Sequence, residues 1–207
     1  MPVFINKIID NQIHVLVWQV RETYHEALVL AKLSELGKQE LESIANEQKR
    51  IEFLISRIAI KELASRLNID FSGIGKDEHG KPFLINSHWE ISITHTVDFI
   101  GVVFREKLPL GMDIEKPQNK MLKVLPRLMV DSEIELMGDS LEYATIFWSA
   151  KEALYKLYGK RKVDFKENLL VWRENEQWKG KIKMPDYEAE HSFYIEMLDQ
   201  YLMVIAY

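Results

Sequence analysis

No cysteine occurs among the 207 residues, so a disulfide framework, a thiolate zinc site and thiol redox chemistry are excluded, and a reducing compartment is expected. Long apolar runs are missing too. The first 18 residues interrupt their hydrophobic side chains with Lys7, Asp10, Asn11 and His14, unlike a signal peptide or a membrane span. The expectation is a soluble cytoplasmic protein with no membrane partner. Nor is there an excess of positive charge: 27 Lys and Arg face 32 Asp and Glu, a formal net charge of −5, which disfavours a nucleic-acid partner. Also absent are a Gly-rich phosphate loop with P-loop spacing, a metalloprotease helix motif and a nucleophile elbow.

What is present is a globular composition, 47% hydrophobic and 29% charged, which argues against a disordered chain and allows one domain or two small ones. Local basic clusters at Lys49-Arg50 and over residues 156–162 could hold phosphates. Apolar periodicity predicts helices over residues 34–67, with a break near 45–48, over 120–137, and over 141–158, where Gly159 is a natural stop. Alternation predicts strands at 13–20, 90–93, 99–105, 110–115, 169–173, 193–198 and 202–207.

The two halves of the sequence resemble each other. Ala59-Ile60-Lys61-Glu62-Leu63 is echoed by Ser149-Ala150-Lys151-Glu152-Ala153. Each helix is followed by a similar hairpin, over 91–104 with a turn at Val97-Asp98, and over 193–207 with a turn at Asp199-Gln200. The expected fold class is therefore α+β: a pseudo-dimer of two similar halves, each a helix packed on a small, mainly antiparallel sheet. The halves, 1–107 and 108–207, would leave a ligand cleft between them.

In the strand at 110–115, Met112 and Ile114 face one side while Asp113 and Glu115 project from the other, roughly 6.5 Å apart at the backbone. Ionised carboxylates that close repel unless a cation or proton intervenes, and oxygen ligands suit Mg²⁺. An edge strand with its charged face in water is the plain alternative. On the third helix, Phe147, Ala150, Leu154 and Leu157 form an apolar stripe. Glu152 and Lys156 lie near the opposite side with Ser149, flanked by Trp148 and Tyr155. Taken alone, that pair is a surface salt bridge; covered by another element, Glu152 would need a partner. Two loops are consistent with phosphate binding: Asp77-Glu78-His79-Gly80-Lys81-Pro82 and Ser92-Ile93-Thr94-His95-Thr96. Each is equally readable as an ordinary turn or strand end.

In order along the chain, these pieces resemble the 4'-phosphopantetheinyl transferase superfamily, and in particular its longer single-chain, surfactin-synthetase-activating-like branch. The resemblance rests on Gly111-Met112-Asp113-Ile114-Glu115 and on the run from Phe147 to Lys156, Phe-Trp-Ser-Ala-Lys-Glu-Ala-Leu-Tyr-Lys. Gly80-Lys81-Pro82, Ile91-Ser92-Ile93-Thr94-His95 and Glu52-Phe53-Leu54-Ile55-Ser56-Arg57 support it.

The resemblance implies a holo-[acyl-carrier-protein] synthase type of enzyme that moves phosphopantetheine from coenzyme A to a serine of an acyl, peptidyl or polyketide carrier protein, releasing adenosine 3',5'-bisphosphate. It implies that Asp113, Glu115 and Glu152 hold Mg²⁺, with Mn²⁺ as a substitute. Lys156 would reach the pyrophosphate, and Arg57, helped by Arg50, the adenosine 3'-phosphate. Gly80, Lys81, Pro82, Thr94 and His95 would contact the nucleotide and its phosphates. Glu152 would take the serine proton directly or through a metal-bound water. A monomer suffices if one chain supplies both sides of the cleft.

Two departures stand out. Thr94 replaces the family's common serine, and Leu128 and Met129 stand where the family usually has paired aromatics, so carrier preference is expected to differ. The rival readings are a Mg²⁺-dependent phosphodiesterase or nucleotide hydrolase, with water in place of serine, and a non-catalytic carrier-binding module.

Overall fold

Residues 2–207 are described by the computed structural model of the protein. The first half runs β1 (Val3–Ile9), β2 (Ile13–Gln19), α1 (Tyr24–Ala31), α2 (Glu35–Glu42), α3 (Glu47–Arg66), β3 (Ile74–Lys76), β4 (Pro82–Leu84), β5 (Trp89–His95) and β6 (Phe99–Glu106). The second runs β7 (Gly111–Glu115), α4 (Lys120–Val124), a 3-10 turn (Leu125–Leu128), α5 (Asp131–Met137), α6 (Leu141–Tyr158), β8 (Leu169–Glu174), β9 (Gln177–Met184), β10 (Tyr187–Leu198) and β11 (Tyr201–Ala206).

Period-two alternation sorts the apolar side chains into three layers of core. From β2, Leu16 and Trp18 face the helices of the first half, together with Ile100, Val102 and Phe104 of β6. The intervening Ile13, Val15, Val17, Phe99 and Val103 face the opposite way, against Met112 and Ile114 of β7 and Met203 and Ile205 of β11. From β11, Leu202, Val204 and Ala206 turn towards Phe147, Ala150 and Leu154 of α6. The molecule is thus helix, sheet, sheet, helix, with the two sheets packed face to face.

Sheet order shows the internal repeat in three dimensions. The first sheet is β1-β2-β6-β5 and the second β7-β11-β10-β9-β8, all neighbours antiparallel. In each half the strand before the main helix (β2 or β7) pairs with the half's last strand (β6 or β11), which pairs in turn with the one preceding it. The α+β fold of two similar halves is as expected. Among the described residues, no helix is long and apolar enough to cross a membrane.

Local chemistry accounts for the boundaries. The Ser34 and Asn46 side chains cap α2 and α3 by accepting from Gly37 N and Lys49 N, so the expected long helix is two. The helix expected over 120–137 is a correction: it is broken into α4, a 3-10 turn and α5. Pro126 cannot donate to an α-helical ladder, and Val130 is extended (φ −80°, ψ 162°). Strands β1 and β9 and helix α1 were not anticipated, although Thr23 and Glu26 form a capping box at the start of α1.

Two features fix α6. A Cβ on Gly111 would overlap the carbonyl oxygen of Ala153 and approach Leu157 N at 2.7 Å, so only glycine lets helix and strand backbones meet. On the far side of α6, Lys151 (0% exposed) pairs with Glu133 at 2.9 Å and donates to Phe165 O (2.8 Å) and Leu169 O (2.5 Å). Glu133 accepts from Val171 N and Val130 N. All three ammonium protons and both carboxylate oxygens are used, which makes this buried ion pair tolerable.

Gly111→Ala should therefore destabilise the fold by about 3 kcal/mol, the upper range for overpacking, read as a lower urea midpoint. An unchanged midpoint would show that the helix can retreat freely. Lys151→Met should cost about 3–5 kcal/mol by stranding Glu133. Adding Glu133→Gln should recover part of that loss in a double-mutant cycle, and strictly additive losses would contradict the coupling.

Candidate active site

On β7, Gly111, Asp113 and Glu115 share the face towards α6. Because Gly111 brings the two backbones together, the next residues along that face meet the helix. Lys156 Nζ donates to Asp113 Oδ1 at 2.8 Å and to Met112 O at 3.0 Å, and Trp148 Nε1 donates to Glu115 Oε1 at 3.1 Å. Glu152 lies within the same electrostatic neighbourhood. Burial, then the Asp113 charge, pushes its carboxyl above the ordinary value, with Lys156 opposing and Glu115 adding. Burial and Asp113 likewise raise Glu115, against the pull of Trp148 and Lys156. Three acids and one ammonium are thus gathered where water is scarce.

β7 is an edge strand, so the outward amides of its second edge need partners. They find them in side chains of β5. Ser92 Oγ accepts from Met112 N at 3.0 Å and Thr94 Oγ1 accepts from Ile114 N at 3.3 Å. Thr94, 2% exposed, also donates to Asp113 Oδ1 at 3.2 Å. The two halves are joined here by hydroxyl rungs instead of a backbone ladder. Sequence reading missed this seam, although Ser92 and Thr94 alternate with Ile91 and Ile93 on one face of a strand.

A cavity of about 250 Å³ lies between the halves, lined by His79, Gly80, Lys81, Pro82, Ile91, Ser92, Ile93, Tyr155, Lys156 and Gly159. Asp77 organises the turn that enters it, its Oδ1 accepting from His79 N (2.9 Å) and Lys81 N (2.8 Å). The Lys81 stem crosses Gly159, where any Cβ would strike it, and its ammonium donates to Leu157 O at 3.1 Å. His95 stands half exposed, 3.2 Å from Glu52. Partial burial draws its pKa down, Glu52 opposes this, and Lys49 and Lys156 add to it.

Not every expected residue joins this group. Arg57 lines a separate depression of about 380 Å³ with Lys61 and Phe71. It donates to Glu40 at 3.2 Å and stacks on Phe53, 3.7 Å from the ring centre. Arg50 is spent on Ile44 O. Ser149 is a correction: it belongs to the buried side of α6, not the polar one, at 0% exposure and, among the described residues, with no partner for its hydroxyl. A further depression of about 730 Å³ lies on the outer face of α1 beside Val29 and Leu30, and none of the expected site residues lines it.

Asp113, Glu115 and Glu152 offer only oxygen, the donor preferred by a hard divalent cation. Asp113 Oδ2 is buried and, among the described residues, without a hydrogen-bond partner, an orphaned charge-bearing atom of the kind a cation satisfies. The donor set therefore fits Mg²⁺, although the acids are not drawn into one shell: among the described residues, no three His, Asp or Glu side chains are gathered closely enough to hold an ion.

Phosphoryl chemistry suits such a group, since acids that bind a cation, a lysine ammonium and a basic turn can together neutralise a pyrophosphate. No curated protein matches the chain. Residues 109–206, the half that carries Asp113, Glu115, Glu152 and Lys156, match the family model of the 4'-phosphopantetheinyl transferase superfamily.

Proposed function

We propose that the protein transfers 4'-phosphopantetheine from coenzyme A to a serine of an acyl, peptidyl or polyketide carrier protein, in a Mg²⁺-dependent reaction that releases adenosine 3',5'-bisphosphate. The observation that carries this reading is the contact of Lys156 with Asp113 across the β7–α6 junction, with Glu115 and Glu152 in its electrostatic reach, beside a cavity lined by Gly80, Lys81 and Pro82. One chain supplies both walls of that cavity, which favours a working monomer.

The serine oxygen attacks the β-phosphorus, the bond from that phosphorus to the bridging oxygen breaks, and the bisphosphate leaves with the bridging oxygen. Mg²⁺ held by Asp113, Glu115 and Glu152 would supply charge neutralisation at the pyrophosphate. Lys156 offers its ammonium to the leaving phosphate once released from Asp113. Glu152, whose affinity for a proton is raised by burial and by Asp113, accepts the serine proton directly or through a water. Lys81, Gly80, Pro82 and His95 hold the nucleotide end.

Incubation with coenzyme A, Mg²⁺ and a panel of apo carriers should give a carrier heavier by one phosphopantetheine group in the mass spectrum. Bisphosphate released without any carrier would point to hydrolysis instead, and no product with any carrier would remove the proposal. Glu152→Gln should lower turnover by about 10²- to 10⁴-fold, with coenzyme A binding, measured by calorimetry without metal, little changed. Arg57 belongs to the coenzyme A site only if the ligand extends into the second depression. In that case Arg57→Ala raises the coenzyme A Kd, whereas an Arg57 serving Glu40 alone leaves Kd unchanged and lowers Tm.

A further inference from the structure

We infer that Thr94 is a positioning residue for Asp113 and does not itself contact coenzyme A. This rests on the proposed role of Asp113 in holding a divalent cation. The Thr94 hydroxyl has one proton and it is given to Asp113 Oδ1 at 3.2 Å; its oxygen accepts from Ile114 N at 3.3 Å. At 2% exposure the side chain offers no surface to a nucleotide. Its donation matters because Asp113 Oδ1 is otherwise held only by Lys156, the ammonium that the proposed reaction calls away. When Lys156 leaves, Thr94 is what still orients the carboxylate and keeps its unpartnered Oδ2 turned as it is. The hydroxyl comes from β5 of the first half and the carboxylate from β7 of the second, so the seam between the halves also sets the aim of a cation ligand.

Ser92 provides the reference. It makes the neighbouring rung, Met112 N to Ser92 Oγ at 3.0 Å, without bonding to Asp113. Loss of either hydroxyl weakens the seam, and only loss of Thr94 frees Asp113.

The test is Mn²⁺ uptake followed by the electron paramagnetic resonance signal of the free ion, with coenzyme A binding measured separately by calorimetry in chelator. Thr94→Val should weaken Mn²⁺ binding about 10- to 100-fold, the usual effect of losing a hydrogen bond to a metal-holding carboxylate, and leave the coenzyme A Kd unchanged. Thr94→Ser should restore Mn²⁺ binding, and Ser92→Ala should keep it. If Thr94→Val does not fold, Thr94→Cys retains the bulk with a weak donor and should give a partial loss. Equal loss of Mn²⁺ in Ser92→Ala and Thr94→Val would reduce Thr94 to a seam residue and overturn the inference. Loss of coenzyme A binding with Mn²⁺ uptake intact would overturn it in favour of a nucleotide contact. Absence of Mn²⁺ uptake by the unaltered protein, with and without coenzyme A, would strike the metal reading itself, a result distinguishable from failure at Thr94 alone.

Discussion

The contact of two backbones at Gly111 is the constraint on which the site depends. A strand and a helix normally stand apart by the thickness of their side chains; here the missing Cβ lets β7 touch α6 at Ala153 and Leu157. From that point the geometry is forced. Residues 113 and 115 follow 111 on the same face of the strand, and 148, 152 and 156, four apart on one helix face, reach it through 156, the neighbour of 153. The short polar contacts Lys156–Asp113 and Trp148–Glu115 are consequences of a glycine that has no chemistry of its own.

The duplicated architecture explains why only one half carries the acids. In the first half the corresponding strand, β2, is paired on both sides, by β1 and β6. In the second half β7 pairs with β11 alone, so its outer edge is left to Ser92, Thr94 and Lys156. The helices diverge at matching positions. Lys61 donates to the carbonyls that end α1, at Ala31 and Lys32, and Glu62 pairs with Arg66 four residues on. Their counterparts differ: Lys151 is buried on Glu133, and Lys156, four residues after Glu152, turns to the strand. A helix-surface pair in one half has become a helix-to-strand contact in the other.

Much of this was legible in the sequence because it is local. Strand alternation placed Asp113 and Glu115 together, the heptad-like spacing of α6 gave its apolar face, and Gly159 marked its end. The repeat was readable because Lys-Glu recurs at the same place in two helices. What was not legible depends on distant partners. Ser149 reads as polar yet is buried, since the helix is covered on the side that helical spacing assigned to water. Arg57 reads as a phosphate ligand, but Glu40, 17 residues away, competes for it. Lys151 sits inside the most recognisable motif, and nothing local reveals that its charge is met by Glu133 and by two carbonyls beyond the helix. Strand β9 was hidden because Lys179, Lys181 and Lys183 dilute its alternation to Gly180 and Ile182.

Charge balance supplies the last step. Two carboxylates at strand spacing, about 6.5 Å apart, repel by about 2.5 kcal/mol at an effective dielectric constant near 20, and a third acid adds to this. One ammonium, bound to Asp113, offsets part of the repulsion; Glu115 has a single indole N–H, and Glu152 has Lys156 only at a distance. Burial, together with this repulsion, holds Glu115 and Glu152 at a proton affinity above that of free carboxylates. Such a state is stabilised by any additional positive charge that reaches it. The same arrangement opposes a pyrophosphate arriving without one, so cation and phosphate each favour the other's occupation of the cavity. Glycine at 111, by letting strand and helix backbones meet, is what makes that mutual preference possible.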